Sequence, residues 1–318
     1  MPTAFITGIT GQDGGYLAEQ LLAQGAAVHG LVRHAGELAP TERAHPGVSL
    51  HVADLTDTAG VAGLLAEVAP DEIYNLAGIS SVARSWQEPV ATGEVSGLAA
   101  AGVLQSAWEL AERLGRRVSV VQASSAEIFG NPASAPQDET TPIAPVTPYG
   151  AAKAYAHHMA RVYRGRGLHA ATVILYNHES PRRPPAFVTR KITQGAAMIA
   201  RGEQDELALG NLDARRDWGW APDYVDAMVR AARHDVPDDF VIATGRAHSV
   251  AEFVAAAFRA AGIDDWRRYV RVDPAFVRPV DAVELTGDAT RARAVLGWVP
   301  TVGFDEIVAR MVQTDLGR

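Results

Sequence analysis

The sequence contains only two lysines among 29 basic residues, and one of them, Lys153, stands four positions after Tyr149. On a helix this spacing places both side chains on one face, one turn apart. Lysine, unlike arginine, is a compact cation that can lie under a ribose and lower the pKa of a neighbouring phenol. The pair could serve acid–base chemistry beside a bound nucleotide, although by itself it could also be a coincidence.

A glycine-rich turn follows the first apolar run of the chain. The segment Gly8-Ile9-Thr10-Gly11-Gln12-Asp13-Gly14 has the spacing Gly-x-x-Gly-x-x-Gly and lies between a predicted strand and a predicted helix. Glycines allow backbone N–H groups to approach a phosphate closely, and the N-terminus of the following helix favours negative charge. This context predicts that all seven residues bind the pyrophosphate of a dinucleotide.

The end of the second predicted strand indicates which dinucleotide is bound. An acidic residue there would hydrogen-bond the free ribose of NAD, whereas a cation would accommodate the 2′-phosphate of NADP. The strand ends in Val32-Arg33-His34, with no acid before Glu37. We therefore predict NADP(H), the alternative being that Arg33 is a solvated surface arginine. The other predicted cofactor contacts follow the third and fourth strands: Asp54, Leu55, Leu76, Ala77, Gly78 and Ser80.

Two further polar side chains follow the fifth predicted strand, which leads into Ser124-Ser125-Ala126-Glu127. In open α/β sheets, ligands bind at the carboxyl ends of the strands, so Ser125 and Glu127 should face the nicotinamide. Together with Tyr149 and Lys153 they would form a catalytic group of a hydroxyl, a carboxylate, a phenol and an ammonium. The alternatives are a helix-capping role for Ser125 and a surface position for Glu127.

Short apolar runs alternate with helical patterns through the first half of the chain. Strands that are apolar on both faces are typical of a parallel sheet covered by helices. We predict an α/β fold: a doubly wound parallel Rossmann sheet with a smaller mixed α/β C-terminal substrate lobe. Residues 1–176 are assigned to the NADP-binding domain, with a return of the chain near 211–245, and residues 177–318 to the substrate lobe.

The predicted strands are Thr3–Thr7, Ala27–Val32, Val48–Val52, Glu72–Leu76, Val118–Ala123 and Ala170–Leu175. The predicted helices are Gly15–Gln24, Thr58–Val68, Thr92–Leu114, Tyr149–Arg166, Thr189–Arg201, Pro222–Ala232, Val250–Ala261 and Phe304–Val312. Near the C-terminus, Asp273–Pro279 is predicted to be extended.

Composition argues against several classes of function. A net charge of −8 and a pI of about 5.7 argue against a nucleic-acid-binding protein, which would present a basic face. The absence of cysteine excludes disulfides and thiolate catalysis. We expect no membrane association and a cytoplasmic location, since no apolar run reaches the roughly 20 residues of a membrane span and the N-terminus lacks a signal-peptide pattern. No metal site is predicted, because His157 and His158 are consecutive and would point apart on a helix.

Four longer motifs add specificity: residues 7–14, residues 176–183 with the sequence Tyr-Asn-His-Glu-Ser-Pro-Arg-Arg, residues 187–191, and residues 210–213 with 216–219. With these motifs the chain resembles, over nearly its whole length, the GDP-mannose 4,6-dehydratase family of the extended short-chain dehydrogenase/reductases. The resemblance implies an NADP-dependent lyase that oxidises a GDP-hexose at C4, eliminates water across C5–C6 and returns the hydride to C6.

The resemblance also implies a role for each catalytic candidate. Tyr149 would take the proton of the 4-hydroxyl, its pKa lowered by Lys153 and by the oxidised nicotinamide. Ser125 would hydrogen-bond the same oxygen. Glu127 would remove the C5 proton and then deliver a proton to the departing 6-hydroxyl.

Contacts with both ligands are implied in the same way. His178 and Arg183 would bind the cofactor, and Ser85 the hexose. The groups that would hold the GDP part are Asn177, Lys191, Arg216, Arg278 and Asp281. For Arg216 and Arg278 the alternative is a structural ion pair with an acid such as Asp217.

The chain departs from the family at several positions. Ile79 stands where the family has glutamine, and Trp220 where it has histidine, so the hexose could differ from mannose. The stretch between Arg33 and Val48 is shorter than in the family, where it supports a tetramer, and we expect a homodimer or homotetramer. Two alternatives remain open: an epimerase or 4-ketoreductase acting on another GDP-hexose, and a dinucleotide-binding redox sensor without turnover.

Overall fold

The computed structural model describes residues 1–276 and 284–317. Within these residues the strands are β1 (Thr3–Thr7), β2 (Ala27–Val32), β3 (Val48–Val52), β4 (Glu72–Asn75), β5 (Ser119–Ser125), β6 (His169–Leu175), β7 (Asn177–Glu179), β8 (Leu207–Leu209), β9 (Arg215–Trp220), β10 (Asp239–Ile242), β11 (Ala247–Ser249), β12 (Val270–Val272) and β13 (Glu284–Leu285). The helices are α1 (Gln12–Ala23), α2 (Leu38–Ala44), α3 (Thr58–Val68), α4 (Val82–Gln87), α5 (Pro89–Gly93), α6 (Ala99–Leu114), α7 (Pro148–Gly165), α8 (Val188–Ala200), α9 (Ala221–Arg233), α10 (Val250–Ala260), α11 (Thr290–Leu296) and α12 (Phe304–Leu316).

The largest sheet has seven strands in the order β10-β6-β5-β4-β1-β2-β3. Each neighbouring pair is parallel, so all the carboxyl ends lie at one edge. The predicted Rossmann sheet is therefore confirmed, and β1, β2 and β3 have the predicted bounds. β10, far along the chain, returns to this sheet beside β6.

Helices cover both faces of this sheet. On one face, α1, α9 and α11 contribute side chains such as Leu17, Met228 and Ala292 to a single apolar core. On the other face, α3, α6 and α7 form a second core, to which Leu65 and Leu104 belong. Each large apolar side chain buried in this way contributes about 1.5–3 kcal/mol, so sandwiching fixes the sheet between two helical layers.

A third core lies under the smaller, mixed lobe. There β9 pairs in parallel with β7 and β13 and antiparallel with β11. Helices α8, α10 and α12 pack on one another through residues such as Ile192, Phe253 and Ile307. Since β7 follows β6 after a single residue, the chain passes from the large sheet directly into this lobe.

Two predicted elements differ from the structure. The long helix expected from Thr92 is interrupted, because α5 ends at Gly93 and a wide π-type turn, Glu94–Leu98, precedes α6. Pro89 at the start of α5 favours an additional helix there, since its missing N–H needs no partner in the first turn. The prediction of extended chain at Asp273–Pro279 is wrong for Pro274–Phe276, which forms a 3₁₀ turn, and its remainder lies outside the described residues.

Candidate active site

A cleft of about 870 Å³ opens at the carboxyl ends of the parallel strands and extends into the smaller lobe. This position is the one expected for a ligand of an open α/β sheet. The predicted site residues that line it are Gly8, Thr10, Gly11, Gln12, Asp13, Gly14, Arg33, Asp54, Leu55, Leu76, Ala77, Gly78, Ser80, Ser125, Glu127, Tyr149, Lys153, Asn177, His178, Arg183 and Arg216.

The glycine-rich turn between β1 and α1 has the shape that a phosphate cradle needs. Gly8 has a φ of +77°, a conformation that favours glycine, and the Gly11 N–H donates to the Gly8 carbonyl oxygen at 3.0 Å. A Cβ atom on Gly14 would lie only 2.2 Å from that same oxygen. The turn leads straight into the N-terminus of α1, so the residues present fit a dinucleotide pyrophosphate. Ile9 is the exception, since its side chain is fully buried in the core.

A hydrogen-bonded clamp holds the next wall of the cleft against this turn. The Thr7 hydroxyl at the end of β1 donates to Asn75 Oδ1 at 2.7 Å. Thr7 Oγ1 in turn accepts from the backbone N–H groups of Leu76 and Ala77, each at 3.1 Å. The chain after β4 is thus fixed where a dinucleotide would pass.

Tyr149 and Lys153 enter the cleft from the first turns of α7. Thr147 caps this helix by accepting from the Gly150 N–H at 3.0 Å, and proline occupies the first helical turn. Both side chains are buried, and Lys153 Nζ donates to the Ala123 carbonyl oxygen at 2.9 Å. Burial lowers the pKa of Lys153 from 10.5 to about 8.

The pKa of Tyr149 differs from the sequence-based expectation. Burial raises it from 10.0 to about 12, the hydrogen bond with Ser125 lowers it, and the nearby charge of Glu127 raises it. We expected Lys153 and a nicotinamide to lower this pKa. Among the protein's own groups, however, burial prevails over the hydrogen bond with Ser125.

Ser125 and Glu127 lie beside this phenol, at the end of β5. The Ser125 hydroxyl accepts from the Glu127 N–H at 3.2 Å and so caps the 3₁₀ turn Ala126–Phe129. Ser125 therefore caps a turn and also lies close enough to Tyr149 to lower the pKa of the phenol. The cap also fixes the backbone of half-buried Glu127 next to the phenol.

β7 carries His178 to the glycine-rich turn. Its Nδ1 lies 2.7 Å from the Tyr176 carbonyl oxygen and its Nε2 lies 2.8 Å from Asp13 Oδ2, so both nitrogens face acceptors. Burial lowers the pKa of His178, but the charge and hydrogen bond of Asp13 outweigh it and raise the pKa overall. The ring also stacks on Tyr224, with centroids 4.6 Å apart. Asp13 therefore favours the protonated form of the imidazole.

Arg183 lies in the loop that follows β7. Its guanidinium stacks on the Phe187 ring at 3.8 Å, and its Nε lies 3.2 Å from Glu179 Oε2. Glu179 is buried, lines the cleft, and was missed by the sequence analysis. Its spacing of four residues from Arg183 within a quoted motif was the available signal.

The adenosine end of the cleft is more open. Arg33 is exposed at the end of β2, and its backbone N–H donates to Glu37 Oε2 at 2.9 Å. Hydrogen bonds from Thr56 lower the pKa of Asp54, and the positive charge of Arg33 lowers it further. Arg33 and Asp54 therefore lie close enough to interact, with Leu55 buried beside them.

Among the described residues, the predicted substrate contacts Ser85 and Lys191 do not themselves line the cleft. Ser85 is fully buried and donates to the Val82 carbonyl oxygen at 2.7 Å, so it is not among the residues that line the cleft. Lys191 Nζ lies 3.5 Å from the ring centroid of Phe276, a residue of the cleft wall. Trp220 packs under Arg310, away from the cleft. Arg278 and Asp281 lie outside the described residues.

Asp217 and Arg216 each have hydrogen-bond partners among the described residues. The Asp217 carboxylate accepts from the Thr244 hydroxyl and from the backbone N–H groups of Thr244 and Gly245. Arg216 Nη1 donates to the Arg215 carbonyl oxygen at 2.8 Å, and its side chain lines the cleft.

In 1–276 and 284–317, no helix is long and apolar enough to cross a membrane. The same part of the chain holds no cluster of three or more histidine, cysteine or acidic side chains arranged to bind a metal ion. His157 is buried with Nε2 3.6 Å from Asp239 Oδ2, and burial lowers its pKa to about 4.

A Rossmann sheet with a glycine-rich first turn and a buried tyrosine–lysine pair defines a short-chain dehydrogenase/reductase. The family model described as GDP-mannose 4,6 dehydratase matches residues 5–311, and the chain belongs to this family. It is 44% identical to GDP-mannose 4,6 dehydratase 2 of Arabidopsis thaliana, across 98% of this chain and 86% of the relative. It is 42% identical to the human GDP-mannose 4,6 dehydratase, across 98% and 91%.

Solved structures show the same fold. A putative epimerase from Burkholderia cenocepacia superposes with a TM-score of 0.87 at 29% identity, covering 100% of this chain and 99% of that one. The UDP-glucose 4-epimerase of Thermus thermophilus, solved as a complex with NAD, superposes with a TM-score of 0.85 at 28% identity, covering 99% of each.

Proposed function

We propose that the chain is a hydro-lyase that converts GDP-α-D-mannose to GDP-4-dehydro-6-deoxy-α-D-mannose. Membership of the dehydratase family supports the reaction, and one observation carries the chemistry. A simple dehydrogenase needs only the tyrosine and the lysine, whereas elimination needs a second acid–base group. Glu127 supplies that group, because it lies in the cleft near enough for its charge to raise the pKa of Tyr149.

The residues that would hold the dinucleotide are the glycine-rich turn, Lys153, His178 and Arg183, with Arg33 favouring the 2′-phosphate of NADP. When bound, the dinucleotide would supply the redox chemistry, a hydride accepted from C4 of the sugar and returned to C6. Lys153 would contribute a positive charge, since a pKa of about 8 keeps most of it protonated near neutral pH. The arginine fork of Arg183 suits a phosphate or carboxamide oxygen.

The catalytic side chains would act in sequence on the sugar. Tyr149 would take the 4-hydroxyl proton once Lys153 and a bound nicotinamide lower its raised pKa, and Ser125 would steady the same oxygen. Oxidation at C4 acidifies the C5 proton, which Glu127 would remove. The proton held by Glu127 would then go to the departing 6-hydroxyl, so one carboxylate serves both steps.

The decisive experiment incubates the purified enzyme with GDP-mannose and NADP⁺ and follows the nucleotide sugar by mass spectrometry. We expect a product lighter by one water, with no net change in NADPH absorbance. Tyr149→Phe should abolish turnover, and Glu127→Gln should abolish the loss of water. An unchanged mass after full incubation would contradict the proposal. An epimerase would give an isomer of equal mass. A 4-ketoreductase would consume NADPH only when supplied with it and with a 4-keto sugar nucleotide, and it would tolerate Glu127→Gln.

We also propose that the enzyme is a homodimer or homotetramer. An apolar strip supports this: Leu98, Tyr155 and Val162 are exposed by 58, 43 and 55%, and Gly97 of the same turn as Leu98 lies against Tyr155. Tyr155 and Val162 share one face of α7, being two turns apart. Light scattering coupled to size exclusion would measure the mass in solution, and a monomer at micromolar concentration would contradict the proposal.

A further inference from the structure

Glu179 is a buried carboxylate in the wall of the cleft, and the mechanism above does not use it. Its residue is only 1% exposed, and burial raises its pKa. A carboxylate at such depth is costly unless partners satisfy it. Its partners therefore indicate what it is for.

Those partners come from two different parts of the cleft. The Thr189 hydroxyl donates to Glu179 Oε2 at 2.6 Å, and Arg183 Nε lies 3.2 Å from the same oxygen. Arg183 is in turn held flat on Phe187 at 3.8 Å. One oxygen atom thus accepts a hydrogen bond from a hydroxyl and lies within ion-pair distance of a guanidinium.

The two partners belong to the two halves of the site. Arg183 lies on the loop after β7 and is assigned to the dinucleotide. Thr189 is in the first turn of the thirteen-residue helix α8, which carries Lys191 toward the nucleotide-sugar side. A carboxylate at this helix N-terminus is also favoured by the helix dipole. The positions of both partners therefore depend on one carboxylate.

We propose that Glu179 is a positioning residue. Its single carboxylate fixes the position of the Arg183 side chain and of the start of α8, and it thereby sets the position of the bound dinucleotide relative to the bound GDP group. The choice of ligands rests on the proposed function. Glu179 itself touches no reacting atom in this scheme, so it should control affinity rather than the chemical step.

The test measures the affinity of the full-length enzyme for NADP⁺ and for GDP by titration calorimetry, together with turnover at saturation. Glu179→Gln keeps the shape and removes the charge. We expect Kd to rise about tenfold for NADP⁺ and several-fold for GDP, with kcat within about threefold of the wild type. Thr189→Val keeps the charge and removes one hydrogen bond. It should raise Kd for GDP about threefold, a fraction of the free energy of one such bond, and leave NADP⁺ within about twofold.

Asp315→Asn is the matched control. Asp315, on α12, is a buried carboxylate that pairs with Arg190 on α8, the helix that also carries Thr189. Neither Asp315 nor Arg190 is among the residues that line the cleft. This variant should lower the melting temperature while leaving both affinities within about twofold of the wild type. Weakening of both ligands by Asp315→Asn to the extent seen with Glu179→Gln would overturn the proposal, because general loss of stability would then explain it.

Three other results would also overturn it. They are unchanged affinities in a folded Glu179→Gln variant, a collapse of kcat at saturation, and, should that variant not fold, an unchanged GDP affinity in Thr189→Val. The titrations do not depend on turnover. If the wild type failed to dehydrate GDP-mannose, the proposed function would fall while the titrations would still decide the role of Glu179.

Discussion

Replacing Lys153 by methionine should stabilise the nucleotide-free enzyme near neutral pH while abolishing its activity. The ammonium is buried, and its hydrogen bond to the Ala123 carbonyl oxygen at 2.9 Å does not offset the loss of water, since its pKa falls from 10.5 to about 8. Methionine has a similar length and suits an apolar surrounding without carrying charge. The variant thus removes a buried charge that lowers the stability of the fold but is needed for activity.

The size of the effect follows from the pKa. The folded chain releases this proton at lower pH than the unfolded chain, so the cost is complete below about pH 8 and fades as the pH rises to 10.5. A fall of roughly 2.5 units corresponds to about 3 kcal/mol, at 1.36 kcal/mol per unit. Losing the donor to Ala123 costs about 1–3 kcal/mol and is independent of pH. The variant should therefore be about 1 kcal/mol more stable near pH 7 and about 2 kcal/mol less stable above pH 10.5.

Urea denaturation of both proteins, dialysed free of nucleotide, at several pH values would measure this change of about 3 kcal/mol. Turnover of GDP-mannose by the variant should fall about 10²-fold or more, as for the loss of an acid–base group. A stability difference that stays constant from about pH 7 to pH 10 would refute the reasoning, because Lys153 would then titrate alike in the folded and unfolded chains.

Three further predictions concern the dinucleotide site. Gly14→Ala should weaken NADP⁺ binding at least tenfold, since its Cβ would lie 2.2 Å from a carbonyl oxygen of the same turn, whereas Gly63→Ala, in open space on α3, should leave titrations unchanged. The Asp13–His178 pair stabilises the fold above the usual pKa of the carboxyl, and this stabilisation is lost as the pH rises through the raised pKa of the imidazole. The melting temperature of the wild type should therefore fall above about pH 6.5. Asp13→Asn should lessen that fall, as measured by scanning fluorimetry. Arg33→Ser should reduce the preference for NADP⁺ over NAD⁺ about tenfold in paired titrations, and an unchanged ratio would identify Arg33 as a solvated surface residue.

Much of the large sheet could be predicted from sequence because its signals are local. The strands β1, β2 and β3 are short apolar runs between turn residues, and their observed bounds match the prediction. The glycine-rich turn and the tyrosine–lysine pair also depend on spacing within one element. Parallel order then brings these local features to one edge, which explains why so many predicted residues line one cleft.

Contacts across the fold were harder to predict. Ser85 was expected at the hexose, but its hydroxyl turns back to the Val82 carbonyl oxygen, a local bond that competes with any ligand. The role of Glu179 could not be predicted from its motif, because its partner Thr189 lies on the next helix. The raised pKa of Tyr149 likewise depends on how deeply the whole fold buries the phenol, which no spacing along the chain reveals.

The scarcity of lysine in the chain now has a physical explanation at position 153. Lys153 Nζ has a backbone acceptor at Ala123, and a Cβ atom built on Gly78 would lie 3.7 Å from it. An arginine there would bring five N–H donors into this confined space, and it could not release its charge when buried. Lysine alone provides a cation that is small enough for this site and whose pKa can fall to about 8. Lys191 is different, since its ammonium lies over the exposed ring of Phe276, where an arginine would also stack. The structure therefore explains lysine at position 153, whereas the ring contact at position 191 would also suit arginine.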